Sequence, residues 1–189
     1  MTVRIVTDST CDLPAEVVAQ YGIYVVPLYI NIGSKDYLDG VDISREEFYR
    51  KLPTYPVQPT TAVPSPQKFH AVYEALADEG ASEVLSIHIS TALSAVVNVA
   101  QLAAKETTST TVTVFDSRQL SLGMGFQAET AAKLAQAGCS VAEILVSLND
   151  QIKRTHVAAA LDTLQFLRRS GRMNSVISTI GELLQIKGC

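Results

Sequence analysis

Three short apolar runs in this chain each pass directly into a cluster of hydroxyl and acidic side chains. Val3-Arg4-Ile5-Val6 leads into Thr7-Asp8-Ser9-Thr10, residues 84–89 into Ser90-Thr91, and residues 112–115 into Asp116-Ser117. Runs of this length with polar ends predict strands over 3–7, 83–89 and 111–115, and a fourth apolar run predicts one over 24–32. Where strands of an open parallel sheet end in polar side chains at one edge, the crevice beyond them is the usual ligand site. Hydroxyls there can donate to an anion without bringing a counter-charge, so such a pocket can hold an acid and stay mostly apolar.

Helix signals stand between the strands. Asp12-Leu13-Pro14 suits the first turn of a helix that reaches about Tyr21 and stops at Gly22. Residues 33–42 are polar, with Asp39-Gly40 as a turn or hairpin tip. Ser44-Arg45-Glu46-Glu47 fits a capping box that opens a short helix to Leu52. Residues 53–64 hold four prolines and read as an extended, ordered loop, because proline can neither donate to a ladder nor continue a helix. Ser65-Pro66 then opens a helix over 67–79. Residues 92–105 predict a helix that is apolar on more than one face and should be well buried. A further helix over 122–137 is stopped by Gly138, and Ser140-Val141-Ala142-Glu143 is a second capping box whose helix reaches about Lys153.

This alternation predicts an α/β fold, a largely parallel sheet flanked by helices. After Arg154 the pattern changes to a strand over 156–161, a short helix over 163–169 broken at Gly171, and an apolar segment over 177–186. We therefore expect an α/β domain over residues 1–154 and the beginning of a second, truncated α/β domain over 155–189. The alternative is that this tail packs on the first domain. Of the 189 residues 47% are hydrophobic and 18% charged, which excludes disorder. No apolar run approaches the ~20 residues of a membrane span, so stable membrane insertion is not expected. The net charge of −4 leaves no cationic stripe for a nucleic acid. The first strand begins without a leader-like segment, and the expected compartment is the cytoplasm.

Several chemistries find no support. There is no Gly-x-Gly-x-x-Gly after the first strand, no phosphate loop and no Gly-x-Ser-x-Gly elbow. Gly123-Met124-Gly125 reads as a helix start with little room for side chains. His70, His88 and His156 stand apart from one another and from Cys11, Cys139 and Cys189, so neither a metal site nor a disulfide framework is indicated, and no cofactor is expected. A Ser-His-Asp triad has no sequence spacing of its own and stays open. Asp8 and Asp116 are the candidate buried acids. An α/β hydrolase or phosphotransferase that uses Asp8, Ser9 and Ser117 is the competing functional class.

One family resemblance runs through the whole chain. Val6-Thr7-Asp8-Ser9-Thr10 with Asp12-Leu13, Val26-Pro27-Leu28, Thr61 with Pro64-Ser65-Pro66, Ile89-Ser90-Thr91-Ala92-Leu93-Ser94, and Val114-Phe115-Asp116-Ser117 with Gly123 closely resemble the bacterial DegV family. Asp162-Thr163-Leu164, Leu167, Gly171-Arg172 and Leu183-Leu184-Gln185-Ile186-Lys187 resemble the opening of that family's second domain. The resemblance implies a protein without a catalytic centre of its own that binds a long-chain fatty acid. It further implies that the acid is presented to a separate ATP-dependent fatty acid kinase subunit. Carried over by position, the family's carboxylate-holding threonine falls on Thr61 and its serine on Ser94, and Arg172 matches a position associated with the kinase. The family usually continues through a second domain that completes the acyl tunnel and supplies a histidine near the carboxylate. Ala62-Val63 and Ala95-Val96-Val97 replace its usual Ser-Gln and Gly-Thr-Tyr, which makes the head-group region less polar. With one wall of the tunnel absent, a further possibility is that the short chain binds nothing and self-associates through exposed apolar surface.

Rough magnitudes fit such a ligand. Burying about sixteen methylenes at ~0.8 kcal/mol each gives on the order of 12 kcal/mol before ordering costs, so the tail supplies most of the affinity. Hydrogen bonds to a charged head add ~1.5–3 kcal/mol each and, more importantly, remove the cost of burying it unpaired. Thr61 and Ser94 can donate without an arginine, which would make a carboxylate oxygen a poorer nucleophile.

Overall fold

In the computed structural model residues 2–160 and 165–172 are described. Their elements follow in the order β1 (Val3–Asp8), α1 (Ala15–Tyr21), β2 (Tyr24–Val26), β3 (Tyr29–Ile32), β4 (Lys35–Leu38), α2 (Arg45–Lys51), β5 (Thr60–Ala62), α3 (Pro66–Asp78), β6 (Glu83–His88), α4 (Val96–Glu106), β7 (Thr111–Asp116), α5 (Leu122–Gln136), α6 (Val141–Arg154) and α7 (Gln165–Arg169). The chain divides after Val157 into two units. α7, Gly171 and Arg172 belong to the second, and both sheets with α1 to α6 belong to the first.

The three apolar runs with polar ends form the parallel sheet, ordered β2-β1-β6-β7. Val6 faces Ser86 across the β1–β6 pair and Ser86 faces Val114 across β6–β7, so the strands end level with one another. Parallel strands need apolar cover on both faces. α3 and α4 pack together and on β6 and β7, while α5 lies on β1 and β6 and carries α1 and α6. The resulting core includes Val6, Val84, Leu85, Ile87, Phe69, Tyr73, Met124 and Ile144, all fully buried or nearly so. An α/β fold with a parallel sheet flanked by helices is thus what the chain adopts.

Helix ends follow the local code. Gly22 takes the left-handed φ of 60° that closes α1, and its N–H donates back to Val18 and Ala19. Ser140 and Glu143 form a complete capping box on α6. At α2 only half the box forms: Ser44 accepts from Glu47 N, while the Glu47 carboxylate pairs with Lys51 at 2.5 Å instead.

Other expectations are corrected. The run over 24–32 is two strands in two sheets, because Pro27 has no N–H for a ladder and the chain turns there. β3 enters a small antiparallel sheet ordered β4-β3-β5. Its hairpin turns at Gly33-Ser34, and Asp39-Gly40 forms a separate turn after β4. The proline-rich segment contributes β5, whose Thr61 pairs with Ile30. α4 starts at Val96 and buries one stripe, Val96, Val97, Ala100 and Ala103, with Leu102 half exposed. Residues 156–160 form no strand. Gly171 does end α7, with φ of 75°. Leu161 and residues 177–186 lie outside the described residues.

Candidate functional site

The small sheet and α2 stand beyond the polar ends of the parallel strands, and a crevice of about 450 Å³ lies between the two. One wall comes from Thr10, Leu28, Ile89, Leu120 and Ser121, at or after the strand ends. The other comes from Tyr29, Ile30, Thr60 and Thr61 of the small sheet and Phe48 and Tyr49 of α2. The lining is therefore mostly aliphatic and aromatic with a few hydroxyls, the composition expected of a site for an amphipathic molecule. Asp12, Asp39 and Arg45 are the charged residues of the lining. The Arg45 guanidinium bonds to the Asp12 carboxylate, donates to the Ser9 carbonyl at 2.5 Å, and lies 4.0 Å from Asp39. A cation flanked by two carboxylates leaves no net positive charge for an anion.

Behind the crevice runs a chain of buried polar groups. Tyr73 of α3 meets the Ser86 hydroxyl at 2.9 Å, Ser86 meets His88 Nε2 at 2.7 Å, and His88 Nδ1 lies 3.0 Å from Asp8. All four side chains are inaccessible to solvent. Alternation along β6 puts Ser86 and His88 on one face, two residues apart. With the proton on Nδ1, His88 donates to Asp8, Ser86 donates to Nε2, and Tyr73 donates to Ser86, so every hydroxyl is used once. Asp8 also accepts from Ile89 N at 3.1 Å, from Thr10 N at 3.0 Å and from the Thr10 hydroxyl at 2.5 Å. Burial pushes the Asp8 carboxyl up, but His88, Thr10 and Ile89 outweigh it and hold the group below the usual carboxylate range. Burial pushes Tyr73 up to about 12 against its bond with Ser86.

The Asp8-His88-Ser86 arrangement has the order of a catalytic triad but not its accessibility, since Ser86 is sealed between His88 and Tyr73. Its effect is to fix two crevice residues, Thr10 and Ile89. Ser9 and Ser117 are likewise occupied: Ser9 Oγ accepts from Leu28 N at 3.1 Å, and Ser117 Oγ exchanges hydrogen bonds with the Gln119 backbone. Asp116 accepts from the Thr91 hydroxyl and from Arg118 N, tying the loops after β6 and β7 together.

Of the sequence-predicted residues, Thr61 lines the crevice on exposed strand β5. Ser94 is half-buried, donates its N–H to Ser90 O, and precedes Ala95, the N-cap of α4. It is not among the crevice-lining residues. Arg172 is exposed in the second unit, with its guanidinium on Ser170 O at 2.6 Å. The glycine pair is explained as read: a Cβ on Gly125 would stand 2.4 Å from Cys11 O and one on Gly123 2.6 Å from Val157. Arg45, Phe48 and Tyr49 were absent from the candidates. The signal available in the sequence was two adjacent aromatic residues, Phe48 and Tyr49, on a short and otherwise charged predicted helix.

A family model described as an uncharacterised protein of the DegV family matches residues 2–189. A DegV domain-containing protein of Deinococcus radiodurans is 41% identical over 187 residues, which cover 99% of this chain and 66% of the relative. A structure described as fatty acid binding of a DegV family protein from Thermus thermophilus superposes with a TM-score of 0.83 at 41% identity, covering 92% of this chain and 61% of that one. DegV from Bacillus subtilis, described as a fatty acid binding protein, superposes with a TM-score of 0.86 at 30% identity, covering 96% and 64%. The chain thus spans 61 to 66% of the length of these relatives.

Proposed function

This chain belongs to the DegV family, and we propose from that premise that it binds a long-chain fatty acid in the crevice between its two sheets. The observation that carries the reading is the crevice: about 450 Å³, walled by apolar and aromatic residues, with Thr61 among its hydroxyls. That volume falls within the range of ~300–1,000 Å³ usual for small-molecule sites. The acyl chain occupies the apolar walls, and Thr61 donates to the carboxylate. Ser94, in the loop that leads into α4 and outside the crevice lining, is the second donor on the strength of the family resemblance alone. Arg45 is already paired, so neutral hydroxyls hold the head and leave its oxygens free to attack a phosphorus atom. In this reading the protein is a cytoplasmic carrier without a catalytic centre of its own. A separate ATP-dependent kinase subunit phosphorylates the presented carboxylate, and Arg172 contacts that subunit. The sealed positions of Ser86, Ser9 and Ser117 support a carrier over a hydrolase. Among the described residues no helix is long and apolar enough to cross a membrane.

Native mass spectrometry of the purified protein, before and after solvent extraction, tests the reading. The expected result is an adduct with the mass of one long-chain fatty acid that extraction removes. A lipid-free protein that turns over esters or phosphate esters would assign it to the enzyme class instead.

A further inference from the structure

We propose that Arg45 is a positioning residue, a latch that holds the small sheet and α2 over the crevice, and that releasing it speeds exchange of the acyl ligand. The second half rests on the fatty-acid reading; the first does not. Residues 29–62 form β3, β4, α2 and β5, and none of them belongs to the main hydrophobic core, which is built from residues 3–28 and 63–148. Ile43 is buried, but outside that core. The layer that carries Phe48, Tyr49 and Thr61 is therefore held to the parallel sheet by something other than core packing.

Arg45 supplies a tie at the rim. Its planar guanidinium reaches the Ser9 carbonyl and the Asp12 carboxylate from two different nitrogens, and Asp39 lies 4.0 Å away. Both acceptors belong to the turn that follows β1, whereas Arg45 is the first residue of α2. Asp12 takes a left-handed φ of 55°, unusual for a residue with a side chain, at the end of that turn. Ser9 contributes twice, since its hydroxyl also accepts from Leu28 N where the chain leaves for the small sheet. The ion pair is partly exposed, 44% for Arg45 and 34% for Asp12, so salt reaches it. A lysine has no planar fork and would satisfy one acceptor at a time. A long acyl chain must pass between layers that this clasp pins together.

Hydrogen exchange and ligand release on the 189-residue chain test the latch. In Arg45→Met, which keeps the aliphatic stem, the amides of β3 to β5 should exchange about tenfold faster, with those of β1 and β6 unchanged. Arg45→Lys should fall between. Release of a fluorescent sixteen-carbon fatty acid should accelerate by a similar factor. Raising salt should speed release from the wild type and leave Arg45→Met unaffected. Unchanged exchange in β3 to β5, or equal acceleration in β1 and β6, would overturn the latch. If the wild type binds no fatty acid, the functional reading fails, and the amide pattern still decides the latch.

Discussion

Thr61 and Asp8 show two uses of a polar side chain at one crevice. Thr61 lines it with a hydroxyl that has no hydrogen bond within the described residues, so its proton is available to a ligand. Thr61→Val, close in shape, should weaken fatty-acid binding by ~1–3 kcal/mol with the melting temperature nearly unchanged, and Ser94→Ala should do the same. Isothermal titration with a long-chain acid measures both, and unchanged affinity would remove the residue from the site. Asp8 acts behind the wall. Its folded pKa lies below the ordinary value of 3.8, so its contribution to stability is fully present above that value and is lost as pH falls through the depressed folded one. The stability gap between the wild type and Asp8→Asn in urea should therefore be constant near neutrality and close only under strongly acidic conditions. Asp8 was legible as a strand-end acid, since β1 ends there. Its partner His88 was not, because the contact joins residues 80 apart. Arg45 escaped for the same reason, with Asp12 33 positions away and Ser44 beside it offering a sufficient local explanation.

At the scale of elements, what is local was legible and what is relational was not. Gly22, Ser140 and Glu143 act within one turn, and their helices lie where the spacing places them. Pro27 marks a break in the run over 24–32, but the run does not reveal that β3 beyond it pairs with β4 and β5 in a separate sheet. β5 has only three residues, all exposed, and takes its strand character from β3. The Gly123-Met124-Gly125 start of α5 lies between these cases: the need for small residues was legible, but what they approach was not. Helix α5 crosses the Ser9–Cys11 turn so closely that a methyl on Gly125 would meet a backbone oxygen at 2.4 Å. Backbone cannot rotate aside as a side chain can, so Gly125→Ala should cost ~1–3 kcal/mol in chemical denaturation. Because that turn carries Ser9 and leads to Asp12, the same substitution should also disturb the Arg45 clasp. Amide exchange in β3 to β5 would report this.

For the molecule as a whole, on the proposed function, binding and presentation would be separable, because Thr61 and Arg172 fall in different units. The crevice and its latch belong to the first unit, whereas Arg172 belongs to the second. Its hydrogen bonds are local, from N to Ser170 Oγ at 3.3 Å and from Nη1 to Ser170 O at 2.6 Å, and the residue is exposed. The arginine follows a left-handed glycine, and in the proposed role its planar fork would suit a carboxylate on the kinase subunit better than a lysine would. Removing such an anchor from an interface commonly costs ~2 kcal/mol or more. Arg172→Ala should accordingly lower acyl phosphate formation by the kinase subunit about thirtyfold at subsaturating carrier, with the fatty-acid dissociation constant unchanged. Raising the carrier concentration should restore much of the rate, as expected for a weakened encounter rather than a damaged acceptor. Loss of fatty-acid binding in the same variant would instead place Arg172 at the ligand, and an unchanged rate would remove it from both roles.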